Sequence, residues 1–324
     1  MDKRIADFYR NKKVLVTGAG GLIGTAFVAQ LLEWEACVRG TQHQRRVPRA
    51  SEIEIIHGDL RDPVTAREAC AGMDMVVQAA GVSGGSKQVT VDPIPMFTQS
   101  LLINTVMLEA ARLSGVRRYL FLSNSSVYAQ SEGILSESDA WEDSYRGVPE
   151  NETGWVKRIG ETQCALYGRT CDMQITIVRA GNAYGPHDNF DLESSHVVPA
   201  LIRKAVEKQN PYQVWGDGNT RRDFIHTEDI ARAGLMLAED GFAQPVNIAT
   251  GQIYTIKQVV EMICDLVGLP RDTIVYQNDA PPASPAKQLD ISRMNAFGFK
   301  PRVDLKDGLA QTIAWYRRQR GFDA

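Results

Sequence analysis

A doubly wound α/β fold, a parallel sheet with helices on both faces joined to a second, smaller α/β region, is predicted by three observations. Short apolar runs alternate with helical periodicities between residues 13 and 180. Gly18, Gly21 and Gly24 stand between the first run and the first helix. After Arg179 the alternation gives way to stretches rich in Gly, Pro, Asn and Asp. Strands alternating with helices of roughly 10 to 15 residues form βαβ units, whose crossovers make a parallel sheet. At about 150 residues per domain, 324 residues suit two domains, and 44% apolar composition supplies their cores.

The elements follow in order. Lys13–Thr17 is a short apolar run stopped by glycine, hence a strand, and Leu22, Ile23, Ala26, Phe27, Gln30 and Leu31 recur at helical spacing. Strands are expected near 36–40 and 53–57, a helix over Pro63–Cys70, and a strand at Met75–Gln78. A long helix around 95–113, a strand at 119–123, a helix over 154–167 and a strand at 174–179 complete the series. Residues 245–248 again read as a strand, and Pro270, Pro281, Pro282, Pro285 and Pro301 cut the last stretch into short elements. The expected division is therefore 1–180 with 221–250 in a dinucleotide-binding domain, and 181–220 with 251–324 in a substrate domain.

Charge and cysteine usage exclude several functions. With 36 Lys+Arg against 39 Asp+Glu the net charge is −3, so no cationic field exists for a nucleic-acid backbone. No apolar stretch approaches the roughly 20 residues that cross a bilayer, and residues 1–13 are charged, which predicts a cytoplasmic protein without membrane partners. The five cysteines carry no CxxC or Cys/His spacing, so no metal is expected.

Thr17 to Gly24 reads TGAGGLIG at the junction of strand and helix. Backbone N–H groups there, of Leu22 and Ile23 among others, can hold a pyrophosphate, and a Cβ at Gly18, Gly21 or Gly24 would block the turn or the close approach of phosphate. Asp59 and Leu60 follow the third strand, where a carboxylate can accept from an adenine amine; Ala79, Ala80 and Gly81 follow the fourth, where small residues let a cofactor lie close. The second strand of NAD-binding folds ends in an acid for the ribose 2′-hydroxyl. That place falls near Gln42, among Arg39, His43, Arg45 and Arg46, with no carboxylate. Such cations suit a 2′-phosphate, so NADP(H) is favoured and NAD(H) remains possible.

On these residues, and on NSSVY (124–128), GWVK (154–157), YGPHDNF (184–190), SSHVVPALIRK (194–204), VWGDG (214–218), RRDFIH (221–226) and VNIATG (246–251), the chain resembles the extended short-chain dehydrogenase/reductase superfamily over essentially its whole length. Within it, the chain is most similar to the GDP-L-fucose synthase branch of nucleotide-sugar epimerases and reductases. The resemblance implies a Rossmann cofactor domain and a partner domain for a nucleotide-diphospho-sugar, GDP-linked in that branch. Asn182, His196, Lys204, Trp215 and Arg222 would then surround the sugar and diphosphate. It also implies a homodimer built through a four-helix bundle of the two long helices near 95–113 and 154–167.

The chain departs from the superfamily where the chemistry sits. A Tyr-x-x-x-Lys pair there moves the proton on the sugar oxygen, helped by a Ser or Thr hydrogen bond, and the lysine also binds the nicotinamide ribose. Lys157 is present, but Thr153 occupies the tyrosine position and Asn124, followed by Ser125, the Ser/Thr position. The branch further implies a cysteine and a histidine as acid and base in epimerisation; His196 matches the histidine and Ser126 stands at the cysteine position. Three readings stay open. Lys157, Thr153, a water or a displaced Tyr145 replaces the phenol in an epimerase, reductase or dehydratase; the chain binds cofactor and sugar nucleotide in a regulatory role with little turnover; or His196 acts as base in a step without net redox.

Overall fold

The computed structural model describes residues 2–82, 92–129, 133–140, 152–277 and 287–322. The chain runs α1 (Asp2–Tyr9), β1 (Lys13–Thr17), α2 (Leu22–Glu33), β2 (Cys37–Gln42), β3 (Glu54–His57), α3 (Pro63–Cys70), β4 (Met75–Gln78), α4 (Ile94–Leu113), β5 (Arg118–Asn124), β6 (Gly133–Leu135), α5 (Glu152–Thr170) and β7 (Gln174–Ala180). It continues through β8 (Asn182–Tyr184), α6 (Val197–Val206), β9 (Tyr212–Trp215), β10 (Arg221–Arg222), β11 (Phe224–His226), α7 (Thr227–Asp240), β12 (Val246–Ile248), β13 (Tyr254–Thr255), α8 (Ile256–Val267), β14 (Ile274–Gln277), β15 (Lys287–Leu289), α9 (Ser292–Ala296) and α10 (Leu305–Arg320).

Seven strands form one sheet in the order β12-β7-β5-β4-β1-β2-β3, every neighbouring pair parallel. Both faces are covered, because side chains alternate along each strand. Val14, Val16, Leu120 and Leu122 face a core that holds Phe27 of α2 and Leu235 of α7. Leu15, Tyr119 and Phe121 face the opposite core, with Cys70 of α3, Met107 of α4 and Cys164 of α5. A third core joins Phe190, α6, β9, α8 and α10 into the smaller region.

Packing divides the chain differently from the sequence expectation in two places. Residues 287–299 leave the smaller region: β15 pairs with β6, and Met294 and Phe299 enter the first core. Residues 221–224 belong to the smaller region, since β10 pairs with β13 and Phe224 lies in the third core. The N-terminal segment, which reads only as charged, is a helix. Ile5 and Tyr9 lie one turn apart on its buried face; the Tyr9 ring stacks on Trp34 at 5.6 Å and its hydroxyl donates to the Leu235 carbonyl at 2.7 Å. Among the described residues no helix is long and apolar enough to cross a membrane.

Candidate active site at the carboxyl edge of the sheet

The glycine loop joins two neighbouring strand ends. Gly18 has φ +62°, and a Cβ there would lie 2.9 Å from Ala80 Cα. A Cβ on Gly24 would lie 2.1 Å from the Gly18 carbonyl oxygen, so the first turn of α2 seats directly on the loop. The Thr17 hydroxyl donates to Gln78 Oε1 at 2.8 Å and accepts the N–H groups of Ala79 and Ala80 at 3.0 Å, tying β1 to β4. Gly21 caps α2 with no side-chain bond and no acid follows in the first turn, leaving the N–H groups at Leu22 and Ile23 and the positive end of the helix for an anion. These residues fit a dinucleotide pyrophosphate. Gly81 is exposed beside them.

On the neighbouring strands, Asp59 is paired with Arg61, whose Nε lies 2.9 and 2.8 Å from its two oxygens. Those hydrogen bonds hold the carboxyl at a pKa of about 2. Leu60 is buried beside it. Arg39, expected near the cofactor, is turned away: it bonds Glu54 at 2.8 Å and the carbonyls of Ala69 and Ala71 at 3.0 and 2.8 Å, at the C-terminal end of α3. That end carries the negative half of the helix dipole and attracts a guanidinium. Arg45 and Arg46 lie next to the loop through their backbone. Their carbonyl oxygens pass over Gly20, 3.0 and 2.8 Å from where its Cβ would be, and both residues are exposed.

At the end of β5 the chain turns through Ser125–Val127. Asn124 Oδ1 accepts the Ser126 N–H at 3.1 Å and also the Ser126 hydroxyl. Helix α5 brings Lys157 alongside: its Nζ donates to the Leu122 carbonyl at 2.7 Å and lies 5.3 Å from the centre of the Phe121 ring. Burial lowers the ammonium pKa to about 8, against the opposing pull of Glu161. Thr153, one turn earlier on α5, directs its hydroxyl to Met96 Sδ at 3.6 Å. Asn124, Ser126 and Lys157 thus lie at the end of β5, Ser125 is half-buried in the turn, and Thr153 faces α4 one turn before Lys157. Tyr145 lies outside the described residues.

Beneath them runs a buried polar network that the sequence reading missed. The Ser123 hydroxyl donates to Glu161 at 2.5 Å, and Glu161 takes both Nε and Nη2 of Arg179 at 3.0 and 2.7 Å. Arg179 donates onward to the Tyr128 hydroxyl at 3.0 Å, and Tyr128 donates to Asn247 at 2.5 Å. Burial raises the Tyr128 phenol to about 12, so it is held neutral and fully engaged. The Lys157–Glu161 spacing, i to i+4 on one helix, was the available signal.

In the smaller region, Lys204 and Trp215 come together: the ammonium lies 5.8 Å from the exposed indole and donates to the Gln213 carbonyl at 2.9 Å. Asn182 Nδ2 donates to the Asp223 carbonyl at 2.8 Å, and Arg222 Nη1 bonds the Arg221 carbonyl at 2.8 Å. His196 stands just ahead of α6; its residue surface is open, while surrounding protein disfavours the imidazolium and lowers its pKa. Two groups beyond the expected set carry strain of burial. Burial raises the pKa of Asp188, whose Oδ2 makes no hydrogen bond, to about 7, and lowers that of His226, whose ring nitrogens make none and whose Nδ1 lies 4.0 Å from the Glu228 carboxylate, to about 4. Among the described residues no three His, Cys, Asp or Glu side chains gather at metal-binding distance.

The chain matches the NAD dependent epimerase/dehydratase family over residues 14–252. A dTDP-4-dehydro-6-deoxy-D-allose reductase of Streptomyces sp is 30% identical over 96% of this chain and 98% of its own length. A probable GDP-L-fucose synthase of Oryza sativa subsp. japonica is 32% identical over 96% of this chain and 94% of its own. Among solved structures, MoeE5 in complex with UDP-glucose and NAD superposes with a TM-score of 0.81 at 28% identity, covering 95% of this chain and 99% of that one.

Proposed function

The chain belongs to the NAD dependent epimerase/dehydratase family, and from that premise we propose that it is an NAD(P)-dependent enzyme acting on a nucleotide-diphospho-sugar, most consistent with a GDP-linked hexose. The observation that carries the reading is Lys157, held by the Leu122 carbonyl at the same sheet edge as the uncapped start of α2. A bound nicotinamide would supply or accept the hydride at the sugar. Lys157 would bind the nicotinamide ribose and hold a proton near the reacting oxygen; Asn124 would donate a hydrogen bond to that oxygen; His196 would serve as acid or base at a neighbouring carbon. Lys204, Trp215, Asn182 and Arg222 would hold the sugar nucleotide, the indole offering a stacking face and the cations a diphosphate partner. The relative named as a GDP-L-fucose synthase supports the GDP assignment.

Exposed Arg45 and Arg46 beside Gly20 favour NADP(H) over NAD(H). Helices α4 and α5 pack side by side, with Gln163 bonded to Thr105 at 2.9 Å, and expose Leu102, Leu113 and Leu166 on their outer faces. That apolar stripe supports a homodimer through a four-helix bundle. Incubating the protein and NADP(H) with GDP-, UDP-, dTDP- and CDP-sugars, 4-keto sugars included, tests the reading by mass spectrometry: one substrate changes mass. A second reading, a homologue that binds without turnover, draws on the Thr153 hydroxyl turned to Met96; it is the reading left if a sugar nucleotide is retained unchanged.

A further inference from the structure

The oxygen-binding position at the end of β5 differs from a Ser or Thr in more than size. A hydroxyl can donate or accept, so it serves a sugar alcohol and a sugar ketone alike. Asn124 offers an amide, and the fold has already chosen which end of it faces the protein. Its Oδ1 is taken by the N–H of Ser126 at 3.1 Å and by the Ser126 hydroxyl. Its Nδ2 has no partner among the described residues and is not one of the buried polar atoms left unpaired, so this half-buried side chain turns a pair of N–H donors to open space. Flipping the amide would set Nδ2 against the Ser126 N–H, two donors face to face, and lose the cap of the turn.

Three hydroxyls near the strand end are turned into the protein. The Thr153 hydroxyl sits on Cβ, far short of where a phenol would reach, and points at Met96 Sδ. The Tyr128 hydroxyl is committed to Asn247 and Arg179. The Ser123 hydroxyl is committed to Glu161. Among the described residues, Asn124 brings a donor to the strand end and Lys157 an ammonium, with the half-buried Ser125 hydroxyl in the same turn.

We infer that Asn124, locked by Ser126, turns N–H donors toward a sugar carbonyl oxygen at this position and so favours binding of a keto sugar over its alcohol. This rests on the nucleotide-sugar reading and adds a specificity-determining residue to it. In the step it would serve, a bound reduced nicotinamide would supply the hydride to the carbonyl carbon, with the C=O π pair moving onto oxygen. Asn124 stabilises the oxygen as charge builds, and the oxygen takes a proton from the Lys157 ammonium, which is recharged from solvent.

The test is calorimetric titration of the whole protein with a GDP-4-keto-6-deoxyhexose and with the GDP-6-deoxyhexose that carries a 4-hydroxyl. The wild type is expected to prefer the ketone by about tenfold, the worth of one well-placed hydrogen bond. Asn124→Asp keeps the acceptor that Ser126 caps but presents no N–H outward, so the preference should vanish or reverse. Asn124→Ser can donate or accept and should bind both sugars alike. Ser126→Ala leaves only the backbone bond to orient the amide, and the preference should fall severalfold. If Asn124→Asp and Asn124→Ser fold with unchanged Tm and keep the wild-type ratio, the inference is overturned while the nucleotide-sugar reading stands. A wild type that binds the GDP-6-deoxyhexose as tightly as the ketone overturns it too. If the wild type binds no nucleotide sugar at all, that reading falls and takes this inference with it.

Discussion

Lys157 Nζ lies 2.7 Å from the carbonyl oxygen of Leu122, so an ammonium carried by α5 is anchored to the strand that ends, two residues later, in Asn124. The anchor explains how a lysine can keep its place with no tyrosine one turn before it. The carbonyl supplies the polar partner that a buried ammonium requires, and Phe121 supplies a ring face.

Lys157 should govern the pH dependence. Burial lowers its pKa from the ordinary 10.5 to about 8, so the unfolded chain binds more protons than the folded one between those values. Its contribution is therefore destabilising in full below about pH 8 and is relieved as pH rises toward 10.5. Lys157→Met is expected to raise Tm at pH 7 while lowering turnover by roughly a hundredfold or more. In the wild type, kcat should fall as pH climbs through about 8. A Lys157→Met protein with lower Tm at pH 7 would remove the desolvation argument.

Restoring the phenol should need two changes. The Thr153 hydroxyl touches Met96 Sδ, so Thr153→Tyr forces a ring against a buried side chain, at a cost of about 1–3 kcal/mol. Thr153→Tyr with Met96→Ala should recover most of that loss. Urea denaturation of the two variants decides it: equal stability would mean that Met96 does not occupy the space.

Cofactor choice should follow Arg45 and Arg46 and leave Arg39 indifferent. Replacing the first two with alanine is expected to lower the NADP(H) over NAD(H) affinity ratio by about tenfold or more, from lost charge-assisted bonds. Arg39→Ala should leave the ratio unchanged and weaken the fold, because the guanidinium holds Glu54 and the end of α3. Fluorescence titration with the two reduced cofactors measures the ratio.

Glu161→Gln should be among the most damaging single changes. Arg179 is 0% exposed and loses its carboxylate partner, the only one among the described residues, leaving a buried charge at a cost of about 3–5 kcal/mol. The same change removes the charge that supports the Lys157 ammonium, so the kcat profile should also move to lower pH. A purely structural role would alter stability and leave that profile in place.

The sheet and its glycine loop were legible because local chemistry specifies them. Gly18 needs a left-handed backbone, Gly24 needs to touch a carbonyl, and Asp62 caps the helix that Pro63 opens. Helix α1 escaped because its buried face is only Ile5 and Tyr9, set among charges. The site was legible as residue types and not as partnerships. Nothing local ties Arg39 to α3, Thr153 to Met96 or Glu161 to Arg179; those pairs are made by the tertiary fold. The return of 287–299 to the first core is likewise a long-range packing fact, carried by Met294 and Phe299.

The central claim is hydride transfer to or from a nucleotide sugar, and labelled cofactor tests it most directly. With NADPH deuterated at nicotinamide C4 on either face and a panel of 4-keto nucleotide sugars, the account predicts one product that carries a single deuterium on a sugar carbon. A sugar nucleotide that binds the protein and is recovered from both labelled cofactors with no deuterium would contradict it.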